Sequence, residues 1–158
     1  GRAGCAAWPG PHHASDRRLQ RNRPMPDFPT DDMELTRLLV VSDLARSVAW
    51  YRDVLGAALY REYGGTSAVF TLLGNWLLLV TGGGPTPDKP GTSFAPPPDP
   101  DTVSAQMIFR VADAQAASET LAGRGAEFLT PPVRWDHGET RAFFRDPDGH
   151  LFEISALD

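Results

Sequence analysis

Apolar positions change their period along the chain, and each change marks an element. Leu35 to Val41 is rich in β-favouring residues and predicts a strand. Ser42-Asp43 follows as a helix start, because a short side-chain oxygen accepts from N–H groups that the first turn leaves unpaired. Leu44, Val48, Tyr51 and Leu55 then recur at helical spacing on one apolar face, and Gly56 ends it. Three strand signals come next, over 58–63, 67–73 and 76–80. They are separated by Gly64-Gly65 and Gly74-Asn75 and closed by Gly82-Gly83-Gly84. The predicted order is β-α-β-β-β.

The pattern then breaks and restarts. Residues 82–103 hold seven Pro and four Gly, a composition that excludes a central strand or a helix interior and predicts an extended, partly polyproline linker. Beyond it, 105–111 reads as a strand, Asp113 as a helix cap, and Ala114, Ala117 and Leu121 as a helix face ended by Gly123 and Gly125. Strands follow over 127–129 and 140–144, with a loop through Pro131-Pro132 and Asp136-His137-Gly138 between them. The last strand begins after Asp146-Pro147-Asp148-Gly149, where Pro147 presets its own φ and Gly149 permits a positive one. The segment Leu39-Val40-Val41-Ser42-Asp43-Leu44 aligns with Phe109-Arg110-Val111-Ala112-Asp113-Ala114. The chain is therefore read as an α+β domain over 34–157, built from repeats 35–81 and 104–156 joined by linker 82–103.

Residues 1–33 lack periodicity and mix Gly, Pro, His and Arg, so they are expected to form a disordered, solvated tail, including the Arg17–Arg23 cluster and His12-His13. The net charge is −5 overall but +4 before residue 25, which leaves −9 on the body. An acidic body argues against a nucleic-acid surface. The single cysteine, Cys5, permits no intrachain disulfide. The longest apolar run, near 72–80, is broken and too short to span a bilayer, and the first residues lack a signal-peptide core. The expectation is a cytoplasmic protein with no membrane or nucleic-acid partner.

The candidate chemistry is concentrated at Glu153, a carboxylate between Phe152 and Ile154 in an otherwise apolar strand. Such a group is costly without a partner, so it either faces a ligand or sits at the sheet margin.

The strand-Ser-Asp-Leu-helix entry, the helix Ser47-Val48-Ala49-Trp50-Tyr51-Arg52-Asp53-Val54-Leu55-Gly56 and the Asp-Pro-Asp-Gly hairpin, in this order, resemble the vicinal oxygen chelate superfamily. This is also called the glyoxalase/bleomycin-resistance/extradiol-dioxygenase family, and the chain resembles a single-module member. The resemblance covers roughly 35–156. It implies two β-α-β-β-β units whose curled mixed sheets surround a cavity, and a homodimer. It also implies four metal-ligand positions, which fall here on Thr36, Leu79, Gln106 and Glu153. Only Glu153 keeps a metal-binding side chain, and a one-residue slip at the others brings in no His or carboxylate. The expected protein therefore has no metal and no cofactor.

On that resemblance, alternation places Thr36, Leu38, Leu79, Gln106, Ile108, Arg110, Phe144 and Glu153 on the inner face, with Trp135 in a loop at the cavity mouth. These are the expected ligand-binding residues. Trp50, Tyr51 and Trp76 are expected to pack. Glu153 either pairs with Arg110 or Gln106 as a structural cluster, or meets a cationic or hydroxylated ligand, or acts as a general base with a raised pKa. The leading expectation is a metal-free, drug-sequestering binding protein like the bleomycin-resistance branch. The alternative is an enzyme of the superfamily (a lyase, isomerase or dioxygenase) with an atypical ligand set, or one using Glu153 as base.

Overall fold

The computed structural model describes residues 27–158; the expected tail up to residue 26 lies outside the described residues. Eleven elements follow in order. The first repeat holds β1 (Thr36–Val41), α1 (Leu44–Asp53), β2 (Ala58–Tyr63), β3 (Ser67–Leu72) and β4 (Asn75–Thr81). The second holds β5 (Met107–Arg110), α2 (Ala114–Gly123), β6 (Glu127–Phe128), β7 (Val133–Trp135), β8 (Glu139–Arg145) and β9 (Leu151–Leu157).

Each repeat makes its own mixed sheet. The first runs β1-β4-β3-β2, and the second runs β5-β9-β8-β6 with β7 also on β8. In each sheet the repeat's first strand lies parallel to its last, and the remaining pairs are antiparallel. The sheets do not close into a barrel. The repeat extends to the helix starts: Asp43 and Asp113 adopt φ, ψ of −137°, 104° and −140°, 105°, and each carboxylate accepts a backbone N–H three residues on, at 3.0 Å. Such a cap contributes about 1 kcal/mol.

Three details differ from expectation. The hairpin before β4 turns on Leu73-Gly74 rather than Gly74-Asn75, with both residues at positive φ, 50° and 75°. The loop expected after Pro131-Pro132 contains β7. Linker 82–103 folds back on itself through bridges Gly83–Phe94 and Thr86–Lys89, and the Lys89 ammonium donates to the Gly84 and Thr92 carbonyls over the Phe94 ring. Glycine and proline remove regular strands, but they leave room for such a local hairpin.

One core serves both repeats. Tyr51 and Val48 of α1, Leu39, Val41, Phe70, Leu77 and Leu79 of the first sheet, and Ala142, Phe144, Phe152 and Ile154 of the second belong to a single buried cluster. Trp50 lies against Phe144 and Phe152, and Tyr51 against Phe70 and Phe152. The packing role expected of Trp50 and Tyr51 is thus what the structure shows. Trp76 meets Tyr60 edge-on and donates to Glu34 at 2.8 Å.

The seam between repeats is polar as well as aromatic. Buried Asp146 accepts from the Tyr51 hydroxyl at 2.7 Å and from the backbone N–H groups of Asp148 and His150. Asp148 in turn accepts from the backbone and side chain of Ser42 and from Arg46. His150 Nε2 lies 2.7 Å from the Val40 carbonyl oxygen. The Asp-Pro-Asp-Gly turn therefore fastens the second repeat to the start of α1.

Candidate functional site

Strand pairing decides which side chains share a face. In both sheets one face packs on the shared core and the other is turned away from it. In the first sheet Leu39 stands opposite Leu79, and both belong to the core. Thr36, Leu38 and Val40 share the open face with Trp76, Leu78 and Val80. Leu79 is thus a fully buried core residue and lines no ligand face, contrary to expectation. The run Leu77-Leu78-Leu79 is apolar on both faces, so alternation alone carries no parity there.

In the second sheet Ile108 stands opposite Glu153 and Arg110 opposite Ser155. Across the final hairpin Glu153 stands opposite Phe143, and Phe144 opposite Phe152. Phe144 is therefore core, fully buried and stacked on Phe152, and not a ligand contact. The cause is the length of the connection: Arg145 pairs with Leu151, which leaves the five residues 146–150 between them. An odd count keeps odd-numbered residues opposite one another.

The open face of the second sheet gathers Ile108, Arg110, Glu153 and Trp135, four of the expected residues. Trp135 arrives on β7, opposite Glu139. Gln106 precedes β5 with the same parity, and its side-chain oxygen is buried without a hydrogen-bond partner. Thr36 and Leu38 belong to the other sheet. Alternation from β7, β8 and β9 adds Glu139, Arg141, Phe143 and Ser155, and His137 joins from the β7–β8 turn. Ser155 is legible once Glu153 is placed. Glu139 and Arg141 need the hairpin register.

The electrostatics of this face are divided. Glu139 is saturated: it accepts from Ser155 Oγ at 2.8 Å and lies within 3.4 Å of Arg110, Arg141 and His137 nitrogens. The Ser155 hydroxyl, then His137 and the guanidinium groups, hold its carboxyl below the usual range. Glu153 is the opposite case. It is 5% exposed and receives no hydrogen bond among the described residues. Its nearest cation is Arg141 Nε at 3.9 Å, too far for a hydrogen bond, and that N–H is itself buried without an acceptor. Burial pushes the Glu153 carboxyl up, against the opposing pull of Arg141. Glu153 pairs with neither Arg110 nor Gln106, because Arg110 donates instead to Ser155 Oγ at 2.7 Å and reaches Glu139. The Arg141 guanidinium also lies 4.8 Å from the Trp135 ring centre and 5.8 Å from that of Phe143. Ile108 and Trp135 stand roughly half exposed beside these charges, at 52% and 43%.

The residues do not fit a transition-metal site. Among the described residues no three His, Cys, Asp or Glu side chains converge. The repeat relation gives the same answer, since Leu78 faces Leu38 as Glu153 faces Ile108. The first-repeat counterpart of Glu153 is thus Leu78, a side chain with no donor atom.

An α+β chain of two repeats, one β-α-β-β-β and the other the same with β7 added, and a polar cluster on the open face of its second sheet, define a recognisable class. Residues 34–154 match the Glyoxalase/Bleomycin resistance protein/Dioxygenase superfamily, and the chain belongs to that family. Solved structures with this fold include a glyoxalase/bleomycin resistance protein/dioxygenase from Nocardioides, 25% identical over 81% of this chain and 85% of that one, with a TM-score of 0.63. The fosfomycin resistance protein FosX from Listeria monocytogenes is 18% identical over 82% and 96%, with a TM-score of 0.58. TioX from Micromonospora sp. ML1 is 20% identical over 80% and 99%, also at 0.58. No helix among the described residues is long and apolar enough to cross a membrane.

Proposed function

We propose that this protein binds a small, largely apolar, hydroxylated molecule on the open face of its second sheet without a metal ion, as a sequestering member of its family. One observation carries the reading: Glu153 is a buried carboxylate with no hydrogen bond, beside a buried Arg141 Nε–H with no acceptor. Leaving both unmatched costs stability, and a ligand hydroxyl satisfies both, donating to Glu153 and accepting from Arg141. Ile108, Phe143 and Trp135 offer the apolar surface around that point. Bleomycin resistance in the family's name and fosfomycin resistance in that of FosX support a small-molecule ligand.

Both open faces turn away from the shared core and expose apolar side chains, Leu38 and Tyr60 on the first sheet and Ile108 and Trp135 on the second. A second copy of the chain is the proposed cover, which makes the binding unit a homodimer.

The test is a thermal-shift screen of hydroxylated aromatic antibiotics and metabolites. A ligand present at 100 times its dissociation constant stabilises by roughly 2.7 kcal/mol. Glu153→Ala and Trp135→Ala are each expected to weaken a hit at least about tenfold. Binding that depends on a stoichiometric bound metal overturns the reading.

A second reading has one observation in its favour. The raised carboxyl of Glu153 makes its anion a stronger base than an ordinary glutamate. Glu153→Gln separates the two: loss of turnover with retained binding supports an enzyme.

A further inference from the structure

A hollow lies apart from the Glu153 cluster, on the seam. Its volume is about 480 Å³, within the usual range for small-molecule sites. One wall is β1, through Leu38 and Val40; another is the start of β9, through Leu151; the linker closes it with Pro98, Pro100 and Val103. The linker is held in place. Arg145 donates to the Pro100 carbonyl and pairs with Asp101 at 3.1 Å. A Cβ placed on Gly149 would stand 2.8 Å from Pro100 Cβ, so the turn and the linker touch. The hollow is thus preformed.

Its ionisable residues are Arg37, Asp99 and His150. Asp99 is satisfied within its own loop by Thr102 Oγ1 at 2.8 Å and the Asp101 N–H at 3.0 Å. His150 Nε2 is engaged by the Val40 carbonyl, which requires a proton on that nitrogen. Arg37 is half-buried and makes no hydrogen bond or ion pair among the described residues. A permanently charged guanidinium in a hollow whose one carboxylate is already occupied selects an anion. Its planar fork suits a carboxylate.

We propose that this seam cavity is a second binding site, for an apolar monocarboxylate such as a medium-chain fatty acid or an aryl-alkanoate, with the carboxylate on Arg37 at the edge of β1 and the hydrocarbon against Leu151, Pro98 and Val103. The site shares no residue with the Glu153 cluster and stands whether or not that cluster binds a hydroxylated ligand.

The experiment is a titration of the 15N-labelled full chain with octanoate, followed by amide shifts, with octanol as the neutral counterpart and 3-phenylpropanoate as the aryl acid. Saturable shifts are expected at Leu38, Val103, Ser104 and Gly149, with octanoate binding at least about tenfold tighter than octanol. Arg37→Gln is expected to bring octanoate down to the level of octanol. The aryl acid against octanoate decides between the two carboxylate sources. Equal binding of octanoate and octanol to the unaltered chain overturns the proposal without need of a variant. So do shifts confined to residues around Glu153, and so does the absence of saturation up to about 10 mM, where a millimolar site would fill.

Discussion

Leu78 holds in the first repeat the position that Glu153 holds in the second: each stands opposite the matching apolar residue of its repeat's opening strand, Leu38 and Ile108. Together with Thr36 and Gln106 this leaves one ionisable oxygen ligand among four related places. Chelation with EDTA is therefore expected to leave the melting temperature within about 1 °C, because the described residues offer too few converging ligands for a metal ion to stabilise the fold. A fall of several degrees, reversed by one divalent metal, contradicts this.

Glu153 stands buried and unbonded, so its ionised form strains the native state. Its pKa is raised on folding, which means the native state binds the proton more tightly than the unfolded chain does. That contribution to stability is largest in acid and declines as pH rises through the ordinary glutamate range and up to the raised value. Glu153→Gln, which carries no charge, is expected to be more stable than the parent at pH 7 by about 1 kcal/mol. The difference should shrink towards pH 4. Urea melts at both pH values measure it, and a variant less stable at pH 7 refutes the assignment.

Tyr51 and Asp146 lock the seam from inside. Burial, with Asp146 beside it, pushes the Tyr51 hydroxyl well above its ordinary value, and burial likewise raises Asp146. The hydroxyl therefore stays protonated and donates throughout the working range. Tyr51→Phe removes one of three donors to a buried carboxylate. The expected cost is about 1–3 kcal/mol, or roughly 3–9 °C in melting temperature for a chain of this size. Calorimetry decides; an unchanged melting temperature shows that the bond does not matter.

Gly149 is required twice, by its φ of 90° and by its approach to Pro100. Gly149→Ala is expected to cost about 1–3 kcal/mol through both effects. It should also loosen residues 98–103, seen as faster amide hydrogen exchange there. Faster exchange spread evenly over the chain is the contrary result.

The architecture was legible because caps and breakers recur: Asp43 with Asp113, Gly56 with Gly125, and the Asp-Pro-Asp-Gly turn each state a local rule that the fold obeys. The faces were less legible. Where a strand is apolar throughout, as at Leu77-Leu78-Leu79, no alternation survives to mark the inside. Where a hairpin has more than two residues, its parity depends on hydrogen bonds such as Asp146 N–H to the His150 carbonyl, which composition does not reveal. Leu79 and Phe144 were misplaced for these two reasons. Ile108, Arg110 and Glu153 share one face, as alternation alone suggests, because β5 and β9 run parallel in register.

No strand ladder among the described residues joins the two sheets, so side chains alone hold the halves together: Tyr51 on Asp146, Ser42 on Asp148, and the rings around Trp50. Cutting the chain within the Thr86–Lys89 hairpin severs none of these. The two fragments, co-expressed as separate polypeptides, should find each other and reconstitute the protein by complementation.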